Sequence, residues 1–258
     1  MKFETLGRHI LVEYYNCDEE VLKNPKLIEE FMNKTKIQWT EMTWNPITGC
    51  TKISDGCLNC YAARMAKRLK AMGNPRYLNE FEVTVHKDLL EVPLDIKQPK
   101  MIFVNSMSDL FHKDVPDAII VKVFETMNKA HWHTFQVLTK RPERVLAMDQ
   151  AGLLKWSPNI WMGTTVENDK YIDRIDKLRE TKANIKFLSC EPLLGSLKDI
   201  SLEKIDWVIV GGESGPKSRE IKKEWVLELK DLCEKDGVAF FFKQWGGINK
   251  KKSGRMLD

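Results

Sequence analysis

The chain has 258 residues, which is enough for one large domain or for one domain with a small appendage. Its formal net charge is only +4, an excess that is compatible with a nucleic-acid partner but does not argue for one. No apolar run approaches the roughly 18–20 residues of a membrane-spanning helix. The charged N-terminal stretch is unlike a signal peptide, so we expect a soluble cytoplasmic protein with reduced thiols.

The first 36 residues differ in pattern from the rest of the chain. An apolar triplet at 10–12 predicts a short strand, and the apolar spacing over 21–32 predicts a helix with Pro25 near its start. A regular alternation of strands and helices begins at Ile37. We therefore expect an N-terminal appendage, 1–36, and a larger domain, 37–258.

The larger domain opens with a predicted strand over 43–48, followed by Cys50, Cys57 and Cys60 in the spacing C-x6-C-x2-C. A glycine precedes each of the first two cysteines, where the backbone can turn sharply. A helix is predicted over 61–72 because apolar residues recur there at helical spacing. The cysteines are therefore expected on a loop between a strand and a helix, a usual location for chemistry.

Three thiolates within reach of one point indicate a soft metal ion or an iron–sulfur cluster. Three ligands also leave one coordination position for another molecule. A structural zinc site is the alternative, and since zinc needs four ligands, Cys190 or His86 is the candidate for the fourth. The scattered Cys17 and Cys233 are expected to be small buried residues.

Short apolar strands alternate with helices through the remainder of the domain. The predicted strands lie at 101–104, 134–138, 160–163, 185–188, 207–210 and 239–242. The predicted helices lie at 117–130, 168–180 and 220–235. This alternation predicts βαβ units and a parallel sheet of about seven strands that is buried on both faces.

Nearly every predicted strand ends in polar residues, namely Ser106, Asp109, Lys140, Arg141, Thr164, Thr165, Ser189, Glu191, Glu213, Ser214, Lys243 and Gln244. Polar ends from so many strands are typical of the carboxyl-terminal mouth of a barrel, where sites are built. An open doubly wound sheet would concentrate them at one switch point instead. We therefore predict an α/β fold with a full or partial (β/α) barrel.

The cysteine loop after the first strand resembles that of the radical S-adenosylmethionine superfamily, whose commonest spacing is C-x3-C-x2-C. The chain is similar in sequence to a phage and prophage family of three-cysteine proteins related to spore photoproduct lyases, in the segments 44–50, 103–111, 138–142 and 187–194. This resemblance covers 37–258. It implies a partial (β/α) barrel of the radical S-adenosylmethionine type.

The resemblance implies that Cys50, Cys57 and Cys60 hold a [4Fe–4S] cluster that binds S-adenosylmethionine. It further implies reductive cleavage of this cofactor to a 5′-deoxyadenosyl radical, with an electron donor such as a flavodoxin or a ferredoxin. The substrate is not identified by the sequence, and nucleic acid is one candidate.

Individual roles follow for the polar strand ends. The cofactor-binding candidates are Ser106, Ser108, Asp109, Lys140, Thr164 and Ser189. Lys140 or Arg141 is expected to pair with the carboxylate of S-adenosylmethionine, and Asp109 or Glu191 with its ammonium or ribose. The catalytic candidates are Glu191, Glu213 and Cys190, the last as a hydrogen donor to a radical.

The N-terminal segments 6–13 and 15–18 resemble the opening strand and helix of prokaryotic S-adenosylmethionine decarboxylase. That enzyme makes its pyruvoyl cofactor by cleavage at a Glu–Ser bond followed by His. The only Glu–Ser pair here is Glu213–Ser214, and it is followed by Gly215. We therefore expect an appendage without decarboxylase activity.

A second hypothesis is a nucleic-acid-binding module with a zinc-stabilised loop and no catalysis. Its basic, stacking face would combine Arg64, Lys67, Arg68, Lys70 and Arg76 with Tyr61 and Tyr77. Metal content separates the two hypotheses, because one predicts iron with sulfide and the other predicts zinc.

Overall fold

The computed structural model describes Thr35, 37–248 and 254–257. The predicted N-terminal strand and helix, at 10–12 and 21–32, lie outside the described residues. Within the described part of the chain, no helix is long and apolar enough to cross a membrane.

The strands are Met42–Trp44 (β1), Ile47–Thr48 (β2), Thr84–Val85 (β3), Met101–Val104 (β4), Thr134–Thr139 (β5), Ile160–Thr165 (β6), Ile185–Cys190 (β7), Trp207–Gly211 (β8) and Ala239–Gln244 (β9). The α-helices are Tyr61–Ala71 (α1), Asp117–Lys129 (α2), Pro142–Gln150 (α3), Asp173–Arg179 (α4) and Lys223–Asp236 (α5).

Seven of these strands form one parallel sheet in the order β1-β4-β5-β6-β7-β8-β9. The sheet is curled into a half-barrel, as the alternation of short apolar strands and helices predicted. Neighbouring strands end nearly in register, with Thr139 opposite Thr164 and Thr165 opposite Ser189. The carboxyl ends of the strands therefore lie side by side along one rim of the half-barrel.

Two predicted elements are each divided in the structure, and one helix was not predicted. The predicted strand 43–48 is two strands, because β2 leaves the main sheet and pairs with β3 in an antiparallel ribbon. The predicted helix 168–180 is a short turn at Asp169–Tyr171 followed by α4. Helix α3 was not predicted, although Pro142 at its first position is a common start signal.

The two faces of the half-barrel pack differently. On the outer face, alternate strand residues such as Ile102 and Val104 pack against the helices in the main hydrophobic core. On the inner face, Phe103, Phe187 and Ile209 form a second cluster with Trp39, which precedes β1. The ring centroids of Trp39 and Phe103 are 4.6 Å apart in an edge-to-face arrangement. The segment before β1 therefore fills the inside of the half-barrel.

Gly163 makes room for this inner cluster. A Cβ atom at Gly163 on β6 would lie 2.4 Å from the ring of Phe187, which is fully buried. We expect Gly163→Ala to lower the free energy of unfolding by about 1–3 kcal/mol, because overpacking forces the ring and backbone to shift. Urea unfolding of the Gly163→Ala, Phe187→Leu and double variants checks this. If the losses in free energy of unfolding of the two single variants added up to that of the double variant, the side chains at 163 and 187 would not be in steric conflict.

Candidate functional site

A cavity of about 630 Å³ lies at the rim where the parallel strands end. The polar strand ends singled out in the sequence line it together, with the exception of Thr164. Thr35 also lines it, although the predicted domain boundary assigns that residue to the appendage. Cavities of a few hundred Å³ at this end of a β/α fold are the usual location of ligand sites.

The three cysteines of the loop line the same cavity. The loop can pass here only because Gly49 has a φ of +85°, and a Cβ at that position would lie 2.1 Å from the carbonyl oxygen of Glu82. Within the described residues, no three histidine, cysteine, aspartate or glutamate side chains are grouped as a metal site. The role of Cys50, Cys57 and Cys60 as cluster ligands therefore stays a prediction.

The first part of the loop is held by a buried ion pair between Asp109 and Arg141. The Asp109 carboxylate accepts hydrogen bonds from Phe111 N, Thr139 Oγ1 (2.6 Å), Lys140 N (3.1 Å) and Arg141 Nη1 (2.7 Å). Arg141 also donates through Nη2 to the carbonyl of Thr51 (3.1 Å), and its Nη1 lies 3.7 Å from the sulfur of Cys50. The end of β5 is thereby tied to the first cysteine.

The middle of the loop is held by Glu167, which follows β6. Its fully buried carboxylate accepts from Arg174 Nη1 at 2.9 Å and from the hydroxyl of Ser54. A Cβ at Gly56 would lie 2.5 Å from the Glu167 Oε1 atom, so the loop backbone passes directly over this carboxylate.

The last part of the loop is held by Glu213, which follows β8. Arg219 binds both of its carboxylate oxygens, at 2.6 Å and 3.0 Å, and Asn59 donates to it at 2.9 Å. Burial tends to raise the pKa of Glu213, but the hydrogen bonds from Arg219 and Asn59 outweigh it and the pKa is lowered. Glu213 is thus held as a carboxylate anion that binds Asn59, the residue before Cys60.

These three contacts form one arrangement, which we call the carboxylate–arginine pairs: Asp109–Arg141, Glu167–Arg174 and Glu213–Arg219. Sequence reasoning missed Glu167, Arg174 and Arg219. Glu167 was detectable as a polar residue just after β6, but the arginines carry no local signal because they come from a helix and a loop.

The environments of the first two thiols differ. Burial raises the pKa of Cys50 to about 11, and the negative charge of Asp109 adds to this effect. Burial also tends to raise the pKa of Cys57, but hydrogen bonds from Ser54 and from the backbone of Ile53, together with the charge of Lys140, lower it overall. In this fold the thiolate of Cys57 therefore forms more readily than that of Cys50.

Two lysines of the cavity wall lie next to carboxylates. Lys140 Nζ is 3.8 Å from Glu167 Oε1, and Lys243 Nζ is 2.8 Å from Glu191 Oε1. Each lysine keeps about a fifth of its side chain exposed. The wall therefore presents two positive groups, each with a negative neighbour.

The structure places two of the predicted site residues away from the cavity. Cys190 is fully buried in the outer hydrophobic core, which raises its pKa strongly, and it does not line the cavity. Thr164 is also fully buried, and its hydroxyl donates to the carbonyl of Thr139 at 3.1 Å. Both face away from the cavity because side chains alternate along a strand.

Neither of the two candidates for a fourth zinc ligand, His86 and Cys190, lies at the cysteine loop. His86 is buried, and its Nε2 atom lies 2.9 Å from the hydroxyl of Thr48. Cys190 lies in the core, as described above. Neither residue lines the cavity with the three loop cysteines.

The basic residues of helix α1 are largely solvent-exposed, including Arg64, Lys67 and Arg68. Two members of the predicted nucleic-acid face have other roles. Tyr77 is buried at 8% exposure and cannot present a stacking surface, and Arg76 binds Asp88 with two hydrogen bonds. The remaining basic face is smaller than the sequence suggested.

The carboxylate–arginine pairs can be tested by removing one partner. We expect Arg141→Met to lower the free energy of unfolding by about 3–5 kcal/mol, because the buried charge of Asp109 loses its counter-ion. Replacing both partners, Arg141→Met with Asp109→Leu, should recover much of this loss in urea unfolding. The exposed pair of Lys230 with Glu234 on α5 provides the control, and Lys230→Met should change nothing measurable. If the double variant were as unstable as Arg141→Met alone, the unpaired charge of Asp109 would not be the cause of the loss in stability.

Two curated relatives match this chain over a short segment. S-adenosylmethionine decarboxylase proenzymes of Caldicellulosiruptor saccharolyticus and Thermotoga petrophila are each 52% identical, over 33 and 31 residues respectively. Those segments are 13% and 12% of this chain and 27% and 24% of the relatives. The chain thus spans about a quarter of the length of the curated relatives it matches.

Two solved structures of spore photoproduct lyase are similar at a TM-score of 0.46 and 11% identity. The likeness covers 79% of this chain and 64% of the lyase chain. One is a complex with a dinucleoside spore photoproduct, and the other is a double mutant with bound AdoMet and the same product.

A family match covers far more of the chain than the decarboxylase segments do. Residues 34–258 match the family described as "Protein of unknown function (DUF5131)", a range that contains the cysteine loop and all seven strands of the parallel sheet. The chain belongs to this family.

Proposed function

We propose that this protein is an iron–sulfur radical S-adenosylmethionine enzyme in which Cys50, Cys57 and Cys60 hold a [4Fe–4S] cluster. One observation carries the proposal. Three thiols from a single fixed loop line the same cavity as the polar ends of a parallel half-barrel. Thiolates are the ligands that iron–sulfur clusters use, and a set of three leaves one position for a cofactor.

The chemistry of the donors fits such a cluster. All three are cysteines, Lys140 favours the thiolate of Cys57, and Arg141 partly offsets the burial and the charge of Asp109 that raise the pKa of Cys50. Positive neighbours stabilise the anionic form in which a thiol binds a metal. When bound, the cluster would supply the electron that cleaves S-adenosylmethionine into methionine and a 5′-deoxyadenosyl radical.

The cavity wall offers partners for the amino-acid end of S-adenosylmethionine. The ammonium of Lys140 would pair with its carboxylate, and the hydroxyls of Ser106 and Ser108 lie in the same wall. These hydroxyls already donate to Asn45 Oδ1 and to the carbonyl of Ile47. They would therefore accept hydrogen bonds from the ligand, as its ammonium group requires.

Asp109 has a different role in this proposal from the one that the sequence suggested. Its carboxylate already accepts four hydrogen bonds and pairs with Arg141. It would act as a positioning residue that fixes the start of the loop and does not contact the cofactor. Glu213 would do the same for the end of the loop through Asn59.

The substrate would lie towards Glu191 and Lys243, an ion pair that joins the residue after β7 to the last strand of the sheet, β9. The substrate itself is unidentified, with nucleic acid as one candidate, because exposed basic residues of α1 follow the cysteine loop directly. An acidic one-electron carrier such as a flavodoxin or ferredoxin is the expected electron donor.

The cluster ligands are tested by single substitutions. After anaerobic reconstitution with iron and sulfide, we expect Cys50→Ala, Cys57→Ala and Cys60→Ala each to lose the visible charge-transfer absorption of a thiolate-bound cluster. Each should also fail to release 5′-deoxyadenosine from S-adenosylmethionine after reduction. Cys233→Ala, in the hydrophobic core, is the control and should keep both signals.

Full iron content in all three loop variants would remove them as ligands. Zinc without iron in the purified chain would favour the second hypothesis, a zinc-stabilised nucleic-acid-binding protein without catalysis.

The role of Lys140 is tested by titration with S-adenosylmethionine. A charge-assisted contact contributes roughly 1.5–3 kcal/mol, so Lys140→Ala should weaken binding by about one to two powers of ten. Lys177→Ala, on helix α4 away from the cavity, is the matched control and should bind as the parent does. Equal dissociation constants for the two variants would remove Lys140 from the site.

A further inference from the structure

Asn105, which directly follows β4, is an anomaly in the wall of the cavity. Its side chain is buried, with the residue only 2% exposed. Neither its Oδ1 nor its Nδ2 atom has a hydrogen-bond partner among the described residues. Leaving a buried amide unpaired opposes folding, so such a group calls for a partner that the described residues do not supply.

The backbone of Asn105 is fixed by hydrogen bonds, whereas its side-chain amide has none to the described residues. Its N–H donates to the carbonyl of Trp44 at 2.7 Å, and its carbonyl accepts from Ser108 N at 3.2 Å. Its φ is +61°, in the left-handed region that asparagine tolerates better than most residues. The junction of β1 and β4 therefore fixes where this side chain starts, at the edge of the cavity.

A second polar group in the same wall shares this property. The indole Nε1 of Trp39 is buried and has no acceptor among the residues that the structure describes. Trp39 and the neighbouring Phe103 both line the cavity. This end of the wall thus combines a neutral amide, a neutral N–H donor and aromatic rings.

These properties suit a flat, uncharged group with a donor and an acceptor side by side. The charged ends of a zwitterion are better matched by Lys140 with Glu167 or by Lys243 with Glu191. A nucleobase has the required flat shape. Among the bases, adenine presents its 6-amino donor next to the N7 acceptor, and an asparagine amide pairs with both at once.

We propose that Asn105 binds an adenine base, accepting from the 6-amino group through Oδ1 and donating to N7 through Nδ2. Trp39 Nε1 supplies a further donor to the same nucleoside. The adenine belongs either to S-adenosylmethionine or to an adenine nucleotide of the substrate, and only the first source rests on the proposed function. In both cases Asn105 is a specificity-determining residue of the cavity.

The test uses Asn105→Gly in the full-length chain, because glycine accepts the positive φ and removes the amide. We expect its melting temperature to stay at or above that of the parent, since the substitution removes no side-chain hydrogen bond to a described residue. By calorimetry, the parent should bind adenosine roughly tenfold to a hundredfold more tightly than 7-deazaadenosine, which lacks the N7 acceptor. Asn105→Gly should bind the two equally, at the weaker level. Asn79→Gly, an exposed asparagine, is the control and should keep the preference.

Two further probes separate the sources of the base. If S-adenosylmethionine loses affinity in Asn105→Gly and a deoxyadenosine dinucleotide does not, the base belongs to the cofactor. The reverse result assigns it to the substrate. Adenosine binding is measured on the chain as purified, so it does not depend on cluster assembly. A failure to assemble the cluster therefore leaves the adenosine result valid, and a failure to bind adenosine leaves the test of the cluster valid.

Three results would overturn the proposal. In the first, the parent protein binds adenosine and 7-deazaadenosine equally tightly, or binds neither. Water would then be the partner of the Asn105 amide. The second is an unchanged preference in Asn105→Gly. The third is a large fall in the melting temperature of Asn105→Gly, which would show a structural role for the amide.

Discussion

The structure of the site depends on three buried carboxylates, each neutralised by an arginine, that hold one loop against the ends of the strands. Asp109, Glu167 and Glu213 follow β4, β6 and β8, so they contact the loop from separate directions. A carboxylate buried without a counter-ion is strongly unfavourable, so each arginine is required once its partner is buried. The loop backbone has little freedom at Gly56, which lies in contact with the carboxylate of Glu167.

This arrangement explains how three thiols are held in one cavity wall by a loop with almost no regular structure. The loop contains only a single turn at Asp55–Cys57 before α1 begins. Its position comes from side-chain contacts such as Ser54 with Glu167 and Asn59 with Glu213. Asp109, Arg141 and Glu213 both hold the loop and line the cavity. The amide of Asn105 lines the same cavity and is not used to hold the loop.

The inside of the half-barrel is filled from a different part of the chain. Trp39 packs on Phe103 and lies near Phe187 and Trp207, which closes the inner face below the cavity. Trp39 and Phe103 therefore form part of the cavity lining, next to the polar strand ends. It also means that residues before β1 belong to the site, since Thr35 and Ile37 line the cavity.

The sequence by itself determined the parallel α/β fold. Short apolar strands must be covered by helices, and the polar residues at their ends then lie together at one rim of the sheet. It also placed Cys50, Cys57 and Cys60 on one loop, since glycine and cysteine spacing is a local property. Only the tertiary structure decided which polar residues face the cavity and which hold the loop. Cys190 and Thr164 turn away because one residue of register reverses a side chain, and Arg174 and Arg219 reach the loop from distant segments. Such pairings depend on long-range contacts that no local pattern of residues records.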